Sequence, residues 1–216
     1  MLTPQQLKLL KTFHNSLHDV ALDPDDPKYV QVFDQSKEDP INEIAVNITF
    51  SESASVNLVT GPRGSGKSTE LNRLAKLLKD SDCIVFHCDM SSYMNLTTAV
   101  EVTDFLISVM AALNDAVIDL YDKDFTHRSY QERLSTLLKK EVKIEDFSLK
   151  ANGSSIKASL KDDPSFKQRL QESLKGHVST VVRQAHEFAQ DVVTFVRKNT
   201  GDKFKKVVLL DRKSVV

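Results

Sequence analysis

The sequence predicts an α/β domain built around a parallel sheet, with helices supplying most of the chain. Three observations carry this. Residues 83–90 and 207–210 are short, nearly continuous apolar runs, and strands covered on both faces lose the in–out alternation of a half-exposed sheet. Residues 56–60 (Val-Asn-Leu-Val-Thr) form a third β-prone run, with a Ser/Glu-rich loop before it and Gly61 after it. Between and beyond these runs, apolar residues recur at i, i+3, i+4 spacing, as in helices laid against a sheet.

Composition narrows the class. A chain of 216 residues is long enough for one ordinary domain with an insertion, or for two small ones. With 40% hydrophobic and 27% charged residues it is globular rather than disordered. Lys+Arg 29 against Asp+Glu 30 leaves a net charge of -1, so no overall basic field points to nucleic acid or anionic lipid. The longest apolar runs fall far short of the roughly 20 residues of a membrane helix, and the N-terminus carries no signal-peptide pattern. The expectation is a cytoplasmic protein with no membrane segment. Cys83 and Cys88 flank His87, but no second ligand pair stands at zinc spacing. Five apart on a strand, the thiols face opposite sides and read as buried structural residues.

From the N-terminus, Thr3-Pro4 is a helix start, with Leu7, Leu10, Leu17 and Val20 near helical spacing. The run Asp23-Pro24-Asp25-Asp26-Pro27 ends that helix in an acidic linker. Asp39-Pro40 repeats the start signal before Ile41, Ile44, Ala45 and Ile48, and residues 51–55 read as a loop. Residues 61–65 form a turn, and a helix then extends to about Lys79 with Leu71, Leu74, Leu77 and Leu78 inward. Helices are expected over 96–121 and 125–140. Alternation on both sides of Asn152-Gly153 predicts a hairpin across 142–160. Asp162-Asp163-Pro164 opens one long helix to about residue 198, with a bend at Gly176 and a stop at Asn199 or Gly201. The expected division is a helical lead, residues 1–50, and a main domain, 51–216, with an insertion at about 96–200.

The chemistry concentrates in one loop. Gly61-Pro62-Arg63-Gly64-Ser65-Gly66-Lys67-Ser68 fits G-x-x-x-x-G-K-[ST] without mismatch. Wrapping a phosphate in inward-pointing N–H groups requires backbone angles that glycine adopts at little cost. The helix opening at Gly66 adds the partial positive charge of its N-terminus. Lys67 is placed to bridge the β- and γ-phosphates and the Ser68 hydroxyl to ligate Mg²⁺, with Thr69 near the α-phosphate. The expected ligands are therefore ATP and Mg²⁺, held by Gly61, Pro62, Arg63, Gly64, Ser65, Gly66, Lys67, Ser68 and Thr69. Asp211 ends an apolar strand at the sheet's carboxyl edge and is the companion carboxylate for Mg²⁺. Lys67 and Asp211 are the candidate catalytic residues.

Other candidates have plainer readings. Asp89 reads as a strand-end or helix-cap residue. Arg63 reads equally as a γ-phosphate contact or a solvated side chain. Lys203, Lys205, Lys206, Arg212 and Lys213 read as solvated flanks of the last strand.

The run from Gly61 through Ser68 to Thr69-Glu70-Leu71-Asn72-Arg73-Leu74 resembles the loop of bacterial P-loop ATPases of the AAA-like and STAND-like branch. Asp26-Pro27-Lys28-Tyr29-Val30 and Asp89-Met90-Ser91-Ser92-Tyr93 resemble the same group, so the likeness covers residues 24–110. These are multidomain signalling ATPases, often tied to phage defence. The resemblance implies a P-loop NTPase core in which another strand separates the loop strand from the one carrying the Mg²⁺ carboxylate. That strand, its sensor residue and an arginine finger would follow Asp211, and the sequence given ends five residues later. The expected sheet is therefore incomplete.

The leading functional expectation is a nucleotide-dependent switch acting on a protein effector or through self-association. Arg212 stands where many hydrolysing relatives carry Glu, so hydrolysis is expected to be weak or absent. The alternatives are a kinase-type phosphotransferase and a non-catalytic helical interaction module.

Overall fold

The computed structural model describes residues 3–16, 21–31, 39–62, 64–121, 161–201 and 203–211. The chain is α/β and mostly helical. Its described elements are α1 (Pro4–Ser16), α2 (Pro40–Phe50), α3 (Lys67–Asp80), β1 (Cys83–Cys88), α4 (Val102–Tyr121), α5 (Pro164–Leu174), α6 (Val178–Thr200) and β2 (Lys206–Asp211). Internal contacts divide it into two compact units, Met1–Leu77 and Leu78–Val216.

In the first unit α1 starts as its sequence dictates. Thr3 Oγ1 accepts the Gln6 N–H at 3.3 Å while Thr3 N–H donates to Gln6 Oε1 at 2.9 Å, a reciprocal cap with Pro4 at the first helical position. Asp39 caps α2 in the same style, its Oδ1 accepting from Ile41 N at 3.0 Å and Asn42 N at 3.3 Å. Ile41, Ala45 and Ile48 are buried from α2.

The expected strand at residues 56–60 is not formed. The segment has no regular structure, and Val56 and Leu58 are 90% and 85% exposed. A strand is stabilised by its partner's N–H and C=O groups and by one covered face. Among the described residues this segment has neither.

In the second unit β1 and β2 pair in parallel, with Cys83 opposite Lys206 and Cys88 opposite Asp211, in a two-stranded sheet. Parallel pairing demands a long crossover, and residues 89–205 supply it. Cys83, Phe86 and Cys88 are all buried, so both faces of β1 are covered. The core joins this strand to α4, α5 and α6 through Phe86, Ile107, Val117, Leu170, Leu174 and Phe188. At the far end of α4, the Tyr121 and Phe195 rings meet edge-on at 5.5 Å.

Boundaries differ from expectation for identifiable reasons. The helix expected from Leu96 starts at Val102, because side chains hold the preceding backbone in other conformations. Asn95 Oδ1 accepts from Thr97 N–H at 2.8 Å, and Asp104 Oδ2 accepts from Glu101 N–H at 3.1 Å. The single long helix expected from Pro164 is two helices, α5 and α6, separated at residues 175–177 around Gly176. Gly201 ends α6 in the left-handed region at φ 69°, which suits glycine. The helix expected over 125–140 and the hairpin over 142–160 lie outside the described residues.

Candidate functional site

The phosphate-loop residues fold into a turn leading into α3. Gly64 and Gly66 adopt φ values of 80° and 81°, where an L side chain is strained. A Cβ at Gly61 would stand 3.0 Å from Ser65 Oγ, a close contact that rotation of the exposed Ser65 side chain can relieve. Ser65 N–H donates to Pro62 O at 3.3 Å and closes the turn. Helix α3 begins at Lys67, and the Glu70 N–H makes its first intrahelical bond, to Gly66 O at 2.9 Å. The N–H groups before Glu70 have no intrahelical acceptor and carry the positive end of the helix dipole.

The Lys67 side chain folds back into the loop, its Nζ donating to the carbonyls of Gly61 and Pro62 at 2.8 Å each. A phosphate oxygen is a stronger, charged acceptor for the same ammonium group. Ser68 and Thr69 are half-buried in the first turn of α3. Arg63 lies outside the described residues.

Residues 21–31 run alongside α3. Leu22 is held at both backbone groups: its N–H donates to Thr69 Oγ1 at 3.2 Å, and its carbonyl accepts from Asn72 Nδ2 at 2.9 Å. The acidic linker folds into successive turns, Asp25 N–H donating to Asp23 Oδ1 at 2.9 Å and Lys28 N–H to Asp26 Oδ1 at 2.8 Å. Lys76 pairs with Asp25 on the exposed side.

Beneath this segment lies a charged cluster that sequence reasoning did not find. Arg73, 7% exposed, grips Asp39 through both terminal nitrogens at 2.5 and 2.6 Å. Its Nε donates to Glu70 Oε2 at 2.8 Å, and Tyr29 OH donates to Glu70 Oε1 at 3.2 Å. Hydrogen bonds from Arg73 hold the Asp39 carboxyl below its ordinary range, with the Asn42 amide helping. Burial, and then Glu70, push the Tyr29 phenol up. The Glu70–Arg73 spacing hinted at a helical ion pair, but nothing local links Arg73 to Asp39, 34 positions earlier.

In the second unit Asp211 ends β2 and accepts the Met90 N–H on Oδ1 at 3.1 Å. Asp89 follows β1 and caps the short turn Met90–Ser92, accepting from Ser91 N–H at 3.0 Å. Both carboxylates act on Cys88. Burial first, and then Asp211 and Asp89, push its thiol up to about 12. Cys83 and Cys88 are both buried free thiols, as their sequence setting indicated.

A second buried charge pair was also invisible in the sequence. Asp104 is 0% and Lys167 2% exposed, with Lys167 Nζ 3.8 Å from Asp104 Oδ2. Lys167 donates to Asn95 O at 3.1 Å and Thr98 Oγ1 at 2.8 Å, pinning the loop ahead of α4 to α5.

The structure thus assembles the described residues from Gly61 to Thr69 in one unit and sets Asp211 in the other. The donor set around the loop fits a polyphosphate: glycine-permitted N–H groups, a helix N-terminus and an ammonium group. For Mg²⁺ the loop itself offers the Ser68 hydroxyl. Among the described residues no group of three or more His, Cys, Asp or Glu is gathered to hold a metal. A magnesium ion that arrives on phosphates and keeps several waters needs no such cage. Also among the described residues, no helix is long and apolar enough to cross a membrane. No protein family, curated protein or solved structure matches this chain closely enough to place it.

Proposed function

We propose that this chain is an ATP-binding module of P-loop type that acts as a nucleotide-dependent switch. The observation carrying the reading is the loop itself: Gly64 and Gly66 at positive φ, leading into a helix whose first residue, Lys67, turns its ammonium group onto the loop carbonyls. ATP supplies a triphosphate whose charge the loop amides, the α3 N-terminus and Lys67 neutralise. Lys67 exchanges the carbonyls of Gly61 and Pro62 for the β- and γ-phosphates. Ser68 ligates Mg²⁺, and Asp211 is kept from the sequence reading as the candidate companion carboxylate, acting through water.

Because Arg212 follows Asp211, no carboxylate stands next in sequence to activate water, and the module binds ATP far better than it cleaves it. Its output is conformational and reaches a protein effector or a second copy of the chain. The test is thermal unfolding with Mg-ATP. At about a hundred times Kd the ligand stabilises by about 2.7 kcal/mol, raising Tm by roughly 5–10 °C. Lys67→Ala removes most of that shift. No shift with ATP, ADP or GTP at millimolar concentration would sink the reading.

A further inference from the structure

We infer that Arg73 is a positioning residue for the phosphate loop, fixing the first turns of α3 against residues 21–31 and α2; the inference rests on the nucleotide reading of residues 61–69. The groups that would meet a nucleotide from α3, Lys67 to Thr69, occupy its first turn. Their direction depends on how α3 is rotated about its own axis, and one residue along a helix turns it by about 100°. Arg73 sits just over one turn further on and is almost wholly buried. Its planar fork meets Asp39 with two parallel hydrogen bonds, a geometry that fixes orientation as well as distance. Asp39 is itself tied to α2 by capping the Ile41 and Asn42 N–H groups.

On the next side of the guanidinium, Glu70 takes the Nε hydrogen with one oxygen and the Tyr29 hydroxyl with the other. The residue 21–31 segment is therefore held at Tyr29 through Glu70 and at Leu22 through Thr69 and Asn72. The Leu22 contact bears directly on the site. By donating to Thr69 Oγ1, the Leu22 N–H occupies an acceptor position on that oxygen. The hydroxyl hydrogen of Thr69 has no acceptor among the described residues, so it is available to donate to an anionic oxygen. Arg73 reaches the nucleotide only through these neighbours.

The experiment is calorimetric titration of Mg-ATP into the full chain, well below each variant's melting temperature. The set is wild type, Arg73→Lys, Arg73→Met and Leu74→Ala, the last loosening the buried face of α3 without touching the charged cluster. Arg73→Met is expected to weaken affinity by about tenfold or more, with Arg73→Lys intermediate because an ammonium group cannot make the paired contact. Leu74→Ala is expected to melt earlier but bind within about twofold of wild type. Equal weakening by Leu74→Ala and Arg73→Met shows a merely structural role and overturns the inference. So does wild-type affinity in Arg73→Met, or, if that variant does not fold, in Arg73→Lys. A wild type that binds no nucleotide overturns the nucleotide reading and this inference together; a wild type that binds while the Arg73 variants match it overturns this inference alone.

Discussion

Asp211 and Met90 are joined by a 3.1 Å hydrogen bond from the Met90 N–H to the Asp211 carboxylate, across 121 positions of sequence. The carboxylate proposed for Mg²⁺ thus ties the end of β2 to the turn after β1. The two roles separate by substitution. Asp211→Asn keeps an acceptor oxygen and loses the charge, whereas Asp211→Ala leaves the Met90 N–H unmet at a cost of about 1–3 kcal/mol. Urea unfolding is expected to place Asn near wild type and Ala well below it. Both variants lose the Mg²⁺ dependence of ATP binding. Equal destabilisation by the two would remove the structural half of the claim.

Turnover is expected to be slow. Steady-state phosphate release from purified chain should stay below about one per second, at the bottom of the ordinary enzyme range. Faster release that disappears in both Lys67→Ala and Asp211→Ala would show that another group activates water.

The buried pair Lys167–Asp104 gives a prediction about stability alone. Lys167→Met removes the counter-charge of a carboxylate that is 0% exposed, leaving Asp104 its hydrogen bonds from the Glu101 N–H and Gln171 Nε2, and is expected to cost up to about 3–5 kcal/mol. Adding Asp104→Leu removes the uncompensated charge and is expected to restore part of the loss. A double-mutant cycle in urea measures this, and strictly additive losses would count against coupling between the two.

Cys88 sets an alkaline limit. Its folded thiol is raised to about 12 from an ordinary 9.0, so the folded state favours the protonated form. The stabilisation this gives is full below the unfolded thiol's pKa and is lost as pH rises toward the folded value. Tm is expected to fall from about pH 9 upward, less steeply in Cys88→Ala. Thiol reagents at pH 8 should label neither cysteine until the chain unfolds.

The loop's backbone geometry was legible where the pattern is local. Eight consecutive residues specify the loop from Gly61 to Ser68, and the structure gives Gly64 and Gly66 the positive φ angles that the chemistry asks for. The caps at Thr3 and Asp39 were readable for the same reason, since each lies within three residues of what it bonds. Residues 56–60 misled because β-propensity reports a side chain's fitness for a sheet, not the presence of a partner. The start of α4 was missed because Asn95 and Asp104 bond the backbone ahead of it, competition that apolar periodicity does not record. Arg73 with Asp39 and Lys167 with Asp104 were hidden for a simpler reason. Each joins charged residues far apart in sequence, and the pattern of one chain does not say which charges are buried together.

The bare segment before the loop has a consequence for solution behaviour. Val56-Asn57-Leu58-Val59-Thr60 is uncharged and contains no proline, and its Val56 and Leu58 side chains are almost fully open to water. Such a window is a template for strands from neighbouring molecules, which would stack on it through backbone groups that have no partner among the described residues. Concentrated protein is expected to gain thioflavin-positive material over time, and Leu58→Lys, which sets a charge at the centre of the window, is expected to slow that gain.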